Sequence, residues 1–275
     1  MSDQPTSAFG HASDGAGGYA PVNGLSMYYE IHGHGDPLVL LHGALSATGT
    51  SFGLLLPELA KNRKVIAVEQ QGHGRTADID RPLTIAQMAD DTAALLEHLG
   101  IWPVDVFGYS LGAGIALDLA VRRPDLVRRL VLASVTFNND GFHPGILEGI
   151  DSMAPDALAG TPFEEEYLRT APNPQDWPTL VAKTQELDRN LPESAPEVVA
   201  SVAAPTLIVI ADSDIVRPEH AVEMFRLLGG GVVGDAVGLP RCQLAILPGT
   251  THITLMSRAD LLLGMIPPFL DAPMA

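Results

Sequence analysis

Gly108-Tyr109-Ser110-Leu111-Gly112 sets a serine between two glycines, a spacing suited to nucleophilic chemistry. The apolar run Val104 to Phe107 precedes it and a helical run, Leu111 to Val121, follows. A strand, a sharp turn and a helix in that order form the context a nucleophile elbow requires. The turn strains the backbone at Ser110. Residues two positions to either side must be small, because the strand and helix backbones come close there, and Gly108 and Gly112 meet that need. The hydroxyl would sit at the positive end of the helix. A glycine-rich turn with an incidental serine is the bland alternative, and the flanking strand and helix argue against it.

A serine hydroxyl is a weak nucleophile at neutral pH and needs a base. His252 follows the last strand-like run, Gln243 to Leu247, and so belongs on a loop at the same sheet edge as Ser110. The other histidines are worse placed. His98 falls on an exposed helix face, His220 in the first turn of a helix, His143 in an irregular segment and His11 near the N-terminus. His32 and His34 sit in a turn without further metal ligands nearby. The imidazole needs an acceptor that fixes its tautomer and stabilises its charged form. Asp212 and Asp214 both follow the run Pro205 to Ile210, and position alone leaves the choice between them open. An oxyanion hole needs two backbone N–H groups. One should come from Leu111, after the nucleophile. The other should come from Ala44 in His42-Gly43-Ala44, where Gly43 permits the turn. His42 is expected to make a structural hydrogen bond within that loop.

The elements that must position these residues alternate between strand and helix. Leu25 to Ile31, Leu38 to Leu41, Val65 to Val68 and Leu130 to Val135 are further strand-like runs, several of them apolar throughout. Such runs suit strands buried on both faces of a parallel sheet. Thr84 to Leu99 has the clearest helical periodicity, with Thr84 and Gln87 spaced as a capping box and Gly100 closing the helix. Ser257 with Asp260 is expected to cap a final helix running through Phe269. Together these imply an α/β fold with helices on both faces of a mostly parallel sheet. Residues 137–204 lack strand-like runs and are rich in proline, which suggests a helical cap inserted into a core formed by 21–136 and 205–275. Residues 1–20 read as a flexible tail. The cavity should lie between the catalytic edge and the cap. Phe137, Phe142, Trp177 and Met153 are candidates to line it, with Tyr109 beside the nucleophile, although packing within the cap would account for them equally well.

Composition narrows the partners. The 275 residues carry 33 acidic against 16 basic side chains, a formal charge of −17. That field repels phosphate backbones and anionic membranes, so neither nucleic acid nor a membrane is an expected partner. The single cysteine, Cys242, excludes an intrachain disulfide and a multi-cysteine zinc site. No apolar run approaches the roughly 18 residues of a membrane span. Residues 1–19 contain neither Lys nor Arg and no apolar stretch, so a cytoplasmic location is expected.

The chain resembles the α/β-hydrolase superfamily over about residues 22 to 270. The matching segments are His42-Gly43-Ala44, Gly72-His73-Gly74-Arg75-Thr76, Gly108-Tyr109-Ser110-Leu111-Gly112, Asp212-Ser213-Asp214 and Gly249-Thr250-Thr251-His252. The resemblance implies an eight-stranded sheet with a cap after the sixth strand. It also implies that the later aspartate, Asp214, is the catalytic acid. Two departures stand out. Gln71 occupies a position where the family often has arginine, which puts the loop's usual salt bridging in doubt. Thr251 precedes the histidine where glycine is commoner. The implied activity is a cofactor-free serine carboxylesterase acting on small to medium, neutral and fairly apolar esters. An enol-lactonase, a C–C bond hydrolase or a perhydrolase could use the same triad, and an inert ligand-binding receptor is the non-enzymatic alternative. Serine at position 110 disfavours the carboxylate-nucleophile relatives. The chemistry needs a neutral His252, so kcat/KM should fall below about pH 6–7.

Overall fold

A computed structural model describes residues 15–273. Its centre is an eight-stranded sheet in the order β1-β2-β4-β3-β5-β6-β7-β8. The strands are β1 (Ala16–Val22), β2 (Leu25–His32), β3 (Asp36–Leu41), β4 (Arg63–Val68), β5 (Val104–Tyr109), β6 (Val127–Ala133), β7 (Thr206–Ser213) and β8 (Cys242–Thr251). β2 runs antiparallel to β1 and β4, and the pairs from β4 to β8 are parallel.

The expected tail over 1–20 needs correction. Residues 1–14 lie outside the described residues, but Ala16 to Val22 form a strand paired to β2. Asn23 and Gly24, both at positive φ, make the turn between them. Asn-Gly is the sequence signal of a two-residue hairpin turn, and it compensates for the weak strand propensity of Ala-Gly-Gly.

The first helices are α1 (Thr48–Phe52), α2 (Leu56–Leu59), α3 (Ile85–Leu99) and α4 (Leu111–Arg122). Thr84 caps α3 by accepting the Gln87 N–H, and Gly100 ends it in the left-handed region. Side chains of β5 alternate between two cores. Val104 and Val106 pack with α3 and α4 on one face, while Phe107 and Tyr109 pack with Phe52, Leu55 and the last helix on the other. Full burial of β5 on both faces follows from this central position.

Between β6 and β7 the chain builds α5 (Ile146–Asp151), α6 (Pro162–Thr170), α7 (Trp177–Arg189) and α8 (Pro196–Ala200). Polar contacts tie these helices to the sheet's carboxyl-edge loops. Glu166 of α6 accepts the Thr50 N–H at 2.8 Å, and Lys183 of α7 pairs with Asp78 at 2.6 Å. The chain ends with α9 (Pro218–Leu227), α10 (Gly234–Val237) and α11 (Ala259–Asp271). Ser257 does not cap α11. Its hydroxyl turns back to the Thr254 carbonyl within a 3-10 turn, and the helix starts after it. Among the described residues no helix is long and apolar enough to cross a membrane.

Candidate active site

Four strands deliver the site. β3, β5, β7 and β8 end at one edge of the sheet, and the loops leaving them carry Ala44, Ser110, Asp214 and His252. Ligands bind outside the carboxyl ends of strands in open α/β sheets.

Ser110 occupies the single residue between β5 and α4, at φ 53° and ψ −118°. That conformation is strained for a residue with a Cβ, and strain of this kind concentrates at functional sites. A Cβ on Gly112 would come within 2.0 Å of the Leu41 carbonyl oxygen, and one on Gly108 within 2.2 Å of the Gly112 oxygen. Backbone packing thus dictates both flanking glycines.

His252 Nε2 lies 3.0 Å from Ser110 Oγ, and His252 Nδ1 lies 2.8 Å from Asp214 Oδ1. The Tyr109 hydroxyl donates to the His252 carbonyl at 2.8 Å, which holds the histidine's backbone against the elbow. Thr251 and Thr254 pin the turn that carries the imidazole: the Thr251 N–H donates to Thr254 Oγ1 at 2.9 Å, and the two hydroxyls are 3.0 Å apart. Threonine in place of the commoner glycine therefore has a structural use.

Both aspartates are engaged, in different ways. Asp212 is exposed and accepts the N–H groups of Gly249 and Thr250, at 2.8 and 3.0 Å, fastening the β8 loop. Asp214 is buried beside His252. Burial alone would raise its carboxyl, but the hydrogen bond and charge of His252, the Ser134 hydroxyl and the Ala211 N–H hold it below the usual carboxylate range.

Ser134 is the residue sequence reasoning missed. It ends β6 two residues earlier than the run Leu130 to Val135 suggests, because its φ of 56° takes it out of the strand. Its hydroxyl donates to Asp214 Oδ1 at 2.7 Å and lies 2.7 Å from His252 Nδ1. The only signal in the sequence is its place at the carboxyl end of a strand next to β5.

The loop after β3 is locked from several sides. The Gly43 N–H donates to Ser51 Oγ, and the Gly43 carbonyl accepts from His42 Nδ1 and the Ser46 hydroxyl, both at 2.8 Å. His42 Nε2 accepts the Gln70 N–H and His73 Nε2 the Leu45 N–H, so both rings carry their proton on Nδ1. Burial, with His73 alongside, pushes His42 down to about 3, and burial pushes His73 down to about 4. Both act as neutral braces. Among the described residues neither the Ala44 nor the Leu111 N–H has a protein acceptor, and both residues line the cavity above Ser110. Two free, fixed N–H groups can serve a developing oxyanion. Gln71 takes over the bridging in its own loop, contacting Asp78 and Arg81, while Arg75 pairs with the buried Glu69 at 2.8 Å.

The cavity measures about 400 Å³. Ser110, His252, Tyr109, Phe137, Phe142 and Met153 are in its wall. Trp177 is not: it packs against Tyr167 inside the cap, ring centroids 5.3 Å apart. The Trp177 ring at the start of α7 found its packing partner within the cap, so it turns away from the cavity. The charged groups in the wall are Asp118, Asp188 and, when protonated, His252, and no Lys or Arg is among them.

A family description of the alpha/beta hydrolase fold matches residues 36–182, more than half of the chain. The chain belongs to the alpha/beta hydrolase family. Among its relatives, this hydrolase is 28% identical over 259 residues to a protein of Azorhizobium caulinodans named "Putative carbamate hydrolase RutD", covering 85% of this chain and 91% of that one. It is 39% identical over 137 residues to the 2-hydroxymuconate semialdehyde hydrolase of a Pseudomonas species, covering 47% of this chain and 46% of the other. In fold it matches the meta-cleavage product hydrolase of Pseudomonas fluorescens, with a TM-score of 0.72 and 20% identity over 91% of this chain and 96% of that chain. That likeness speaks for the architecture alone.

Proposed function

We propose that this protein is a serine hydrolase of carboxylic esters, small to medium in size and fairly apolar, that works through an acyl-enzyme. The observation that carries the proposal is the unbroken chain Ser110–His252–Asp214, with contacts of 3.0 and 2.8 Å, opening onto a largely apolar cavity. In this reading Ser110 Oγ attacks the ester carbonyl while His252 Nε2 takes its proton. The imidazolium so formed is stabilised by Asp214 across the Nδ1–H. The oxyanion rests on the N–H groups of Ala44 and Leu111, each such donor contributing about 3 kcal/mol of transition-state stabilisation. His252 then protonates the leaving alcohol. Water, deprotonated by the same imidazole, attacks the acyl-enzyme and releases the acid and Ser110.

Relatives suggest other bonds. A semialdehyde of muconate carries a carboxylate, and a site for it would need a cation. Here the wall holds Asp118 and Asp188 and neither Lys nor Arg. That electrostatic mismatch favours neutral carbonyl substrates over dienoic acids. A lactone has no such charge and fits the same chemistry.

Steady-state rates on p-nitrophenyl esters of graded length, a neutral lactone and an anionic dienoate distinguish these. The proposal expects the highest kcat/KM among the neutral esters. Turnover confined to the anionic dienoate would overturn it.

A further inference from the structure

The cap wall of the cavity contains a polar pair with no counterpart in an ordinary apolar binding slot. Thr184 and Asp188 are one turn apart on α7, and both line the cavity that holds Ser110 and His252. Residues four apart on a helix share a face and lie about 5–6 Å from each other at Cβ. Thr184 is buried, and its hydroxyl has no hydrogen-bond partner, not even the carbonyl one turn back that a helical threonine usually takes. Buried hydroxyls without partners are rare and costly. Asp188 is half-buried, and among the described residues it has neither an ion pair nor a hydrogen bond; burial raises its carboxyl to about 7. Its neighbours on the helix behave differently. Lys183 pairs with Asp78, Arg189 with Glu186 and Asp151, and Gln185 with carbonyls of the α5 region. The other carboxylate of the wall, Asp118, is paired to Arg122. Thus Lys183, Gln185, Arg189 and Asp118 all have partners, whereas Thr184 and Asp188, which line the cavity, have none among the described residues.

We propose that Thr184 and Asp188 form a specificity subsite for a protonated amine, so that the preferred substrate is an apolar ester with an amino group remote from the scissile carbonyl. The ammonium would donate to the Asp188 carboxylate and to Thr184 Oγ1, replacing the solvation both groups lost on folding. Charge-assisted hydrogen bonds of this kind are about twice as strong as neutral ones. The absence of Lys and Arg from the wall removes competition for the carboxylate, and the overall charge of −17 draws cations to the protein. The inference rests on the esterase reading for the reaction and adds to it the chemical class of substrate.

Competitive inhibition of p-nitrophenyl acetate hydrolysis tests it. The probes are 1-aminoalkanes and 1-alkanols of matched length, from butyl to octyl, at pH 8, where Asp188 is ionised. Thermal midpoints check the fold of each variant. At the best length the amine should bind about tenfold more tightly than its alcohol. Asp188→Asn should bring the two within about twofold, Asp188→Glu should retain a preference, and Thr184→Val should reduce it. A structural role for these residues would shift both probes alike and leave their ratio unchanged. Equal inhibition by amine and alcohol in the native protein, or a preference that survives Asp188→Asn, overturns the subsite. If Asp188→Asn does not fold, the native ratio and the Thr184→Val ratio decide. Native protein that hydrolyses no ester fails the reaction itself, a result separate from hydrolysis without amine preference.

Discussion

The Ser134 hydroxyl donates to Asp214 Oδ1 at 2.7 Å, the same oxygen that faces the His252 imidazole. With its proton given to Asp214, Ser134 Oγ has a lone pair directed at His252 Nδ1, also 2.7 Å away. The Nδ1–H is therefore shared between a carboxylate and a hydroxyl that is itself oriented by that carboxylate. A buried network of this kind fixes both the tautomer and the plane of the ring.

Ser134→Ala should lower kcat about tenfold and leave KM within about twofold. A hydrogen bond to a charged group is worth about 1.5 kcal/mol, and this one acts on the base and not on the substrate. Steady-state kinetics on a single p-nitrophenyl ester checks it. An unchanged kcat would make Ser134 a packing residue only.

The two aspartates should separate sharply. Asp214→Asn removes the acceptor that sets the imidazole tautomer and should cost about 10⁴-fold in kcat. Asp212→Asn loosens the two N–H contacts at Gly249 and Thr250, so it should cost less than about tenfold in kcat and appear mainly as a lower thermal midpoint. Comparable losses in the two variants would contradict the assignment.

His73 links stability to pH. Its folded value of about 4 lies below the ordinary 6.5, so the unfolded chain takes up a proton that the folded protein refuses. The stability this provides is present above about pH 6.5 and is lost as pH falls toward 4. Between pH 7 and pH 5 the loss comes to about 2 kcal/mol. Denaturant unfolding of the native protein and of His73→Asn at both pH values isolates it. The variant should lose about 2 kcal/mol less than the native chain on acidification, and equal losses would mean that His73 is not held neutral.

Much of the site was legible because its placement follows from simple rules. Val104 to Phe107 and the run after Leu111 are apolar enough to mark strand and helix, so Ser110 could only lie in the turn between them. His252 was singled out by following the last strand. Asp212 and Asp214 could not be told apart by position, because both sit at the carboxyl end of β7, Asp212 in its last residues and Asp214 just beyond, and the difference lies in a bend that exposes the first and buries the second. Ser134 was invisible because its role depends on a left-handed backbone at the end of β6, which serine does not advertise. Trp177 misled because an aromatic ring in a cap suits a cavity wall as well as a packed helix pair. β1 was missed because Ala-Gly-Gly has little strand propensity of its own, and the Asn23-Gly24 turn that recruits it was there to be read.

The direct test of the central claim is intact-mass analysis after treatment with a fluorophosphonate, comparing the native protein with Ser110→Ala. The expected result is one adduct per native chain, mapped by peptide analysis to Ser110, and none on the variant. A native chain that remains unmodified, or an adduct that persists in Ser110→Ala, would contradict nucleophilic catalysis by this serine.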